Sequence, residues 1–379
     1  MKEKYILGVD NLLDQCGVRR GEDVLIVFEH QSRWRSDHLI AELMAEKLRA
    51  KGAQVTLLYI EPIPLGGSGE PPENVRQAMF HSDITIFSSN CAILFTRTVW
   101  EAILQYPTRI LEIFGGEANR ETLATPHISG NPHVLAVITQ FIKNKLLGEK
   151  ELRMTSKAGT DFSCLTPPGG IWMSPGTPRV RPVEPRACNF AFWQQEGAFW
   201  PRETANGLLC LDGFYGVGYS EDPIICTVKD GWCTKIESGG PKSKDKKLIE
   251  ILAPFAGPPS LSHPANMHLT EWACGINPSS RIYLKADDHS LIEAQRNTGV
   301  CHIALGSRRR SNPPLGRPEL NCGIHLDGTL LEPTVIIDGE TIIEEGWALY
   351  LQDPVLRKKV QELGEDPDKV LKQERNIIR

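Results

Sequence analysis

From Val24 onwards the chain alternates between short apolar runs and segments whose apolar positions recur at helical spacing. Val24-Leu25-Ile26-Val27-Phe28, following Gly21, predicts a strand. Leu43, Met44 and Leu48 keep one helical face, with Ser36 or Asp37 placed to cap it and Gly52 to end it. Val55–Tyr59 predicts a second strand, Asn74–Phe80 a helix, and Ile84–Phe87 a third strand. Trp100–Gln105 reads as helix, Arg109–Phe114 as a fourth strand, and Pro132–Leu147 as a longer closing helix. Strands and helices alternating at these spacings predict a parallel sheet covered on both faces.

Near residue 150 the texture changes. Pro and Gly crowd together at Pro167-Pro168-Gly169-Gly170 and Pro175-Gly176. Strand-like pieces then succeed one another without long helices, at Gly207–Leu211, Ile224–Val228, Arg281–Leu284, Cys301–Leu305, Asn321–Leu326 and Thr334–Ile337. The expected fold class is α/β, in two parts. An N-terminal open parallel-sheet α/β domain covers 1–148, and a mainly antiparallel, barrel-like β domain covers 149–379. Leu248–Leu252 and Leu291–Glu293 read as short helices in the second. Asp353–Arg379 is strongly charged, with apolar Val355, Leu356, Val360 and Leu363, and predicts a surface helix interrupted near Gly364–Pro367.

Composition excludes some functions. The 379 residues are 41% apolar and 23% charged, ordinary for a globular chain. A net charge of −5 leaves no concentrated basic surface, so nucleic acid is not an expected partner. The basic runs Lys242–Lys247 and Ser307–Arg310 read as solvated loops. No apolar run reaches the ~18–20 residues that span a bilayer, so no membrane partner is expected. Met1–Leu7 mixes charge signs and lacks signal-peptide features, which predicts a cytoplasmic protein. Its ten cysteines form no Cys-x-x-Cys pair and are expected to be small buried residues. No Gly-x-Gly-x-x-Gly follows the first strand and no Walker A occurs, so Gly66-Gly67-Ser68-Gly69 and Gly115-Gly116 read as loops.

Candidate chemistry collects in the second domain. In Asn321-Cys322-Gly323-Ile324-His325-Leu326-Asp327-Gly328, alternation puts Gly323, His325 and Asp327 on one face. Residues i and i+2 of a strand lie ~6.5–7 Å apart, so this imidazole and carboxylate can converge on one cation. A polar outer strand face gives the same spacing by chance. Cys301–Gly306 places His302 in an otherwise apolar strand, where a buried ring needs partners for its nitrogens. Glu271 leads into Trp-Ala-Cys-Gly, a poor setting for a solvated acid, and a buried carboxylate needs a cation, hydrogen bonds or a shifted pKa. His263 and His268, just upstream, suit supporting roles or a loop surface. Two carboxylates and two histidines suit Zn, Mn, Co or Fe better than an all-oxygen Ca or Mg cage. Neither Gly-x-Ser-x-Gly nor His-Glu-x-x-His is present. Cys301 and His302, adjacent on a strand, point to opposite faces and make a poor nucleophilic pair.

Thr270-Glu271-Trp272-Ala273-Cys274-Gly275-Ile276-Asn277-Pro278, then Cys301-His302-Ile303-Ala304-Leu305-Gly306, then His325-Leu326-Asp327-Gly328, resembles the aminopeptidase T family. These are leucyl-aminopeptidase-like metallopeptidases with a paired-metal site. The same superfamily includes 2,5-dihydroxypyridine 5,6-dioxygenase, a mononuclear non-haem iron enzyme. Ser156–Phe162 is similar to the segment opening the second domain of that dioxygenase, and Asn206–Asp212 fits the shared pattern. The resemblance implies that His325 and Asp327 bind metal in either branch. Glu271 matches a metal-binding Glu of the peptidases, where the dioxygenase has His. His302 matches a ligand His of the peptidases. Glu196 and Glu203 are two matches for a further peptidase Glu. The resemblance also implies a homo-oligomer.

The expected function is a metal-dependent hydrolase. It would cleave an amide or other C–N bond of a small aromatic or heterocyclic substrate, or of a short peptide, with metal-activated water. Glu271, His302, His325 and Asp327 would hold one or two divalent ions. Glu196 or Glu203 would bridge or accept the water's proton. Trp193, Phe199 and Trp200 would wall a substrate pocket, with plain core packing as the other reading. The alternative function is a mononuclear iron(II) ring-cleaving dioxygenase acting on a hydroxylated pyridine, with His302, His325 and one carboxylate as a facial triad. Ser156–Phe162 and the aromatic loop favour it, and the Glu at 271 counts against it.

Overall fold

A computed structural model gives the fold. It describes residues 2–378 apart from 31–36, 63–69, 90–95, 107, 115–118, 126–127, 129–130, 169–171, 175–195, 202, 258–262, 285–288, 307–323 and 376. The chain divides into two compact units, one containing Met1–Pro132 and the other containing His133–Pro175 and Gln195–Arg379.

The first unit runs α1 (Lys2–Cys16), β1 (Asp23–Glu29), α2 (His38–Ala50), β2 (Gln54–Ile60), α3 (Glu73–Phe80), β3 (Ile84–Ser89), α4 (Arg97–Gln105), β4 (Arg109–Phe114) and α5 (Arg120–Leu123). The four strands form a parallel sheet in the order β2-β1-β3-β4. Both faces are buried, which is why β1 reads as a continuous apolar run. Val24, Ile26 and Phe28 pack in one core with Ile40, Met44 and Leu48 of α2, and Leu25 and Val27 pack in another with Val75, Met79 and Val99. Asp37 caps α2, its side chain accepting from the Leu39 amide at 3.1 Å. Helix α1 was not expected from the charge-mixed N-terminus. Its Val9, Leu12, Leu13 and Cys16 supply the buried stripe.

The second unit opens with α6 (Pro132–Lys145), whose Phe141 stacks on Tyr350 at 6.3 Å between ring centroids. There follow β5 (Glu151–Thr155), β6 (Asp161–Leu165), β7 (Trp172–Ser174), β8 (Glu196–Phe199), β9 (Asn206–Phe214), β10 (Gly218–Lys229) and β11 (Trp232–Ser238). Next come α7 (Asp245–Leu252), β12 (Leu269–Gly275), β13 (Ile282–Tyr283), α8 (His289–Arg296), β14 (Cys301–Gly306), β15 (His325–Leu330), β16 (Thr334–Ile337), β17 (Glu340–Glu344) and β18 (Trp347–Ala348). The chain closes with α9 (Pro354–Glu362), α10 (Pro367–Val370) and β19 (Ile377–Ile378).

Thirteen of these strands make one large curled antiparallel sheet, with the path β18-β17-β16-β5-β6-β9-β15-β14-β12-β8-β7 and with β10 and β11 branching from β9. The strand expected at Arg281–Leu284 is outside it: only Ile282 and Tyr283 are extended, and they pair in parallel with β19. The described cysteines are buried, and no disulfide joins them. No described helix is long and apolar enough to cross a membrane.

Candidate metal centre

Strands β15, β14 and β12 lie side by side. In an antiparallel sheet, residues directly opposite point to the same face, as do residues two apart along a strand. Ala304 lies opposite both Glu271 and Asp327, His302 opposite both Ala273 and Thr329, and Gly306 opposite His325. Glu271, His302, His325 and Asp327 therefore project from one face. Trp272, Ile303, Leu305 and Leu326 occupy the other and are buried in the core.

A β-bulge puts Glu271 on the donor face. Leu269 pairs with Leu305 and Glu271 with Ala304, so two steps along β12 match one along β14. Thr270 is the extra residue, and its Oγ1 donates to the Ala304 carbonyl at 3.2 Å. Simple alternation from Leu269 would have turned Glu271 to the apolar side. A bulge that re-aims a side chain is a known device beside functional sites.

Ala304 forms the floor of the cluster. Adjacent strands are ~4.8 Å apart, so the backbones carrying Glu271 and Asp327 are separated by ~10 Å across β14. The methyl group of Ala304 leaves that space to the longer side chains. Ala304→Leu is expected to overfill it, at a cost of ~1–3 kcal/mol in stability. It is also expected to drive the donors apart, so that metal retained after dialysis falls well below that of the parent protein. Undiminished metal content in a folded A304L protein would refute this packing argument.

Three contacts link the four side chains in the order His302, Glu271, His325, Asp327. His302 Nε2 is 3.8 Å from Glu271 Oε1, His325 Nε2 is 3.4 Å from Glu271 Oε2, and His325 Nε2 is 3.1 Å from Asp327 Oδ1. The His302 side chain is 2% exposed, His325 9%, Glu271 11% and Asp327 22%, so the face opens on the Asp327 side. Burial opposes a charged His325 ring, but the Asp327 and Glu271 carboxylates outweigh it and push its pKa up to about 10. Burial alone would raise the Glu271 carboxyl, but the imidazoles of His302 and His325 hold it well below the usual carboxylate range. Asp327 is lowered too: burial again opposes, and His325 and His302 prevail.

These four side chains are the chemical types that ligate a divalent transition ion, although no group of three or more His, Cys, Asp or Glu among the described residues is closed up to hold one as it stands. Ligand atoms bonded to one such ion at ~2.0–2.2 Å stand ~3 Å or slightly more from each other, the spacing of the two closer contacts here. His302 has a few tenths of an ångström to close. Asp327 Oδ1 is buried and, despite the approach of His325, makes no hydrogen bond among the described residues, which suits an oxygen that meets a cation. Two imidazole nitrogens with carboxylate oxygens are the chemistry of Zn, Mn, Co or Fe rather than of Ca or Mg.

The remaining candidates fall elsewhere. Phe199 pairs with Trp272 across β8 and β12, and their rings lie 5.1 Å apart in the core, on the face away from Glu271. It therefore packs the interior instead of walling a pocket. Trp200 is half-buried just beyond β8. Glu203 is exposed in the turn before β9, and no described contact joins it to the four donors. The backbone of Glu196 pairs with Gly275 and Ser174, while its side chain, like all of Trp193, lies outside the described residues. His263 and His268 flank Trp232, at 5.4 and 4.8 Å between ring centroids.

Comparison with known proteins shows the fold. No protein-family model matches the chain, and no curated protein matches it in sequence. Among solved structures it is similar to 2,5-dihydroxypyridine dioxygenase from Pseudomonas putida KT2440, with a TM-score of 0.65 and 15% identity over 92% of this chain and 98% of that one. The relationship is a distant structural one, and it carries no sign of the aminopeptidase branch.

Proposed function

We propose that this chain is a mononuclear non-haem iron(II) enzyme that opens the ring of a hydroxylated nitrogen heteroaromatic with dioxygen. The observation that carries this reading is the single compact cluster of two imidazoles and two carboxylates, on a fold shared end to end with a dihydroxypyridine dioxygenase. Among the described residues the cluster offers four donors, enough for one ion, and a two-metal centre with ions ~3.5–4 Å apart would draw on further ligands.

Iron(II), when bound, would supply the redox chemistry for dioxygen. His302, His325 and one carboxylate would hold it. The other carboxylate, held ionised beside the imidazoles, is then available to take the proton of a substrate hydroxyl. The buried floor of Ala273, Ala304 and Gly306 keeps one side of the centre dry, and the Asp327 side admits the substrate.

A hydrolase is the second reading, favoured by the presence of Glu271 and His302 in the cluster, the two positions at which the sequence sides with the peptidases. One assay separates the two. Protein loaded anaerobically with iron(II), then given a dihydroxypyridine and air, is expected to consume dioxygen as the ring absorbance disappears. Oxygen-independent release of an amine by the Zn, Mn or Co form, with no oxygen uptake by the iron form, would overturn the proposal.

A further inference from the structure

We propose that Gln295 is a positioning residue for this centre, its carboxamide oxygen placed to accept a hydrogen bond from the Nδ1 edge of His302 in the metal-loaded protein, a bond not made in this structure. The inference rests on the metal reading of the four-donor face. Gln295 lies near the end of α8 and is fully buried. Its Nε2 donates to Thr329 Oγ1 at 2.9 Å. Thr329 is fully buried too and sits directly opposite His302 on the donor face. The carboxamide is thus delivered beside His302, on the face that carries the donors.

That hydrogen bond fixes which way the amide turns. With Nε2 committed to Thr329, Oε1 is left buried and without a hydrogen-bond partner among the described residues. A buried acceptor left unsatisfied is costly, and it marks a place where a donor belongs. His302 presents its Nε2 edge to Glu271, so its Nδ1 edge is the opposite one. An imidazole that gives Nε2 to a cation carries its remaining proton on Nδ1, and such rings are held by an acceptor there. A neutral amide does this without adding a third negative charge to the two carboxylates.

Helix α8 is held rigidly enough for the task. Arg281 grips Glu293 through Nε to Oε1 at 2.8 Å and Nη2 to Oε2 at 3.1 Å, and its backbone amide also donates to Oε1 at 3.2 Å. Glu293 is two residues from Gln295, so this clamp fixes the turn of α8 that carries the carboxamide.

The test compares full-length wild type, Gln295→Met, Gln295→Glu and Thr329→Val. The readouts are Co(II) affinity by chelator competition, the visible spectrum of bound Co(II), and melting of the metal-free proteins. Gln295→Met is expected to weaken Co(II) binding by ~10–100-fold and to shift its visible bands, with little change in metal-free melting. Gln295→Glu keeps an acceptor oxygen and is expected to restore most of the affinity. Thr329→Val, which frees the amide to rotate, is expected to fall between wild type and Gln295→Met. Wild-type affinity and spectrum in both Gln295→Met and Thr329→Val would overturn the proposal alone. A wild type that takes up no Co(II) would overturn the metal reading, and this proposal with it.

Discussion

On the proposed iron(II) reading, Asp327→Ala is expected to abolish metal uptake and activity while leaving the fold standing. The side chain is the most exposed of the four donors at 22%, so its removal opens no sealed cavity. Its backbone carbonyl, which accepts from the Tyr215 amide at 2.9 Å, is untouched by the change. His325 keeps Glu271 at 3.4 Å, so no buried charge is left without a counter-charge. Changing an outer residue that merely supports a ligand costs ~10–100-fold in metal affinity, and loss of a ligand itself should exceed that. Metal analysis after dialysis, together with a melting curve, checks both halves of the prediction. Full metal content in a folded variant would remove Asp327 from the centre.

The second large effect is a proton count. In the metal-free protein His325, with its pKa near about 10, carries a proton at pH 8, and a metal ligand must be a neutral ring. Metal uptake at pH 8 is therefore expected to release about one proton per ion from this residue. An ordinary histidine, with a pKa of ~6.5, would release almost none. Calorimetric titration in buffers of different ionisation enthalpy measures the number directly, and a value near zero would contradict the assignment.

The same groups set the pH dependence of metal-free stability. The pKa of His325 is higher folded than unfolded, so its contribution is full below ~6.5 and is lost as pH rises through about 10. Glu271 and Asp327 are lowered on folding, so their contributions are present at neutral pH and lost in acid. Melting temperature without metal should fall on both sides of neutrality.

Much of this arrangement is legible in single segments and little of it across segments. Alternation alone puts His325 and Asp327 on one face, and the apolar run after Glu271 signals a buried acid. Strand β1 announces itself because burial on both faces makes it an apolar run, while the edge strand β2 is buried only at Ile60. What a strand's own residues do not disclose is which strand lies beside it. The floor at Ala304 and the reach of Gln295 to Thr329 arise from pairings 34 positions apart in sequence for the latter, and nothing local distinguishes those residues. Phe199 shows the converse, since the aromatic residues around it leave pocket wall and core packing both open. The register decides between them by pairing it with Trp272 in the core.

The extra residue in β12 also governs how this chain is to be matched to its distant relatives. A cousin whose strand runs straight there would carry its equivalent acid or imidazole immediately after the counterpart of Leu269. Laid against it without a gap at Thr270, this sequence would set Glu271 beside an inward-facing apolar residue, and the correspondence at this position would be missed. Any residue-by-residue comparison with a protein of similar fold must first place that gap.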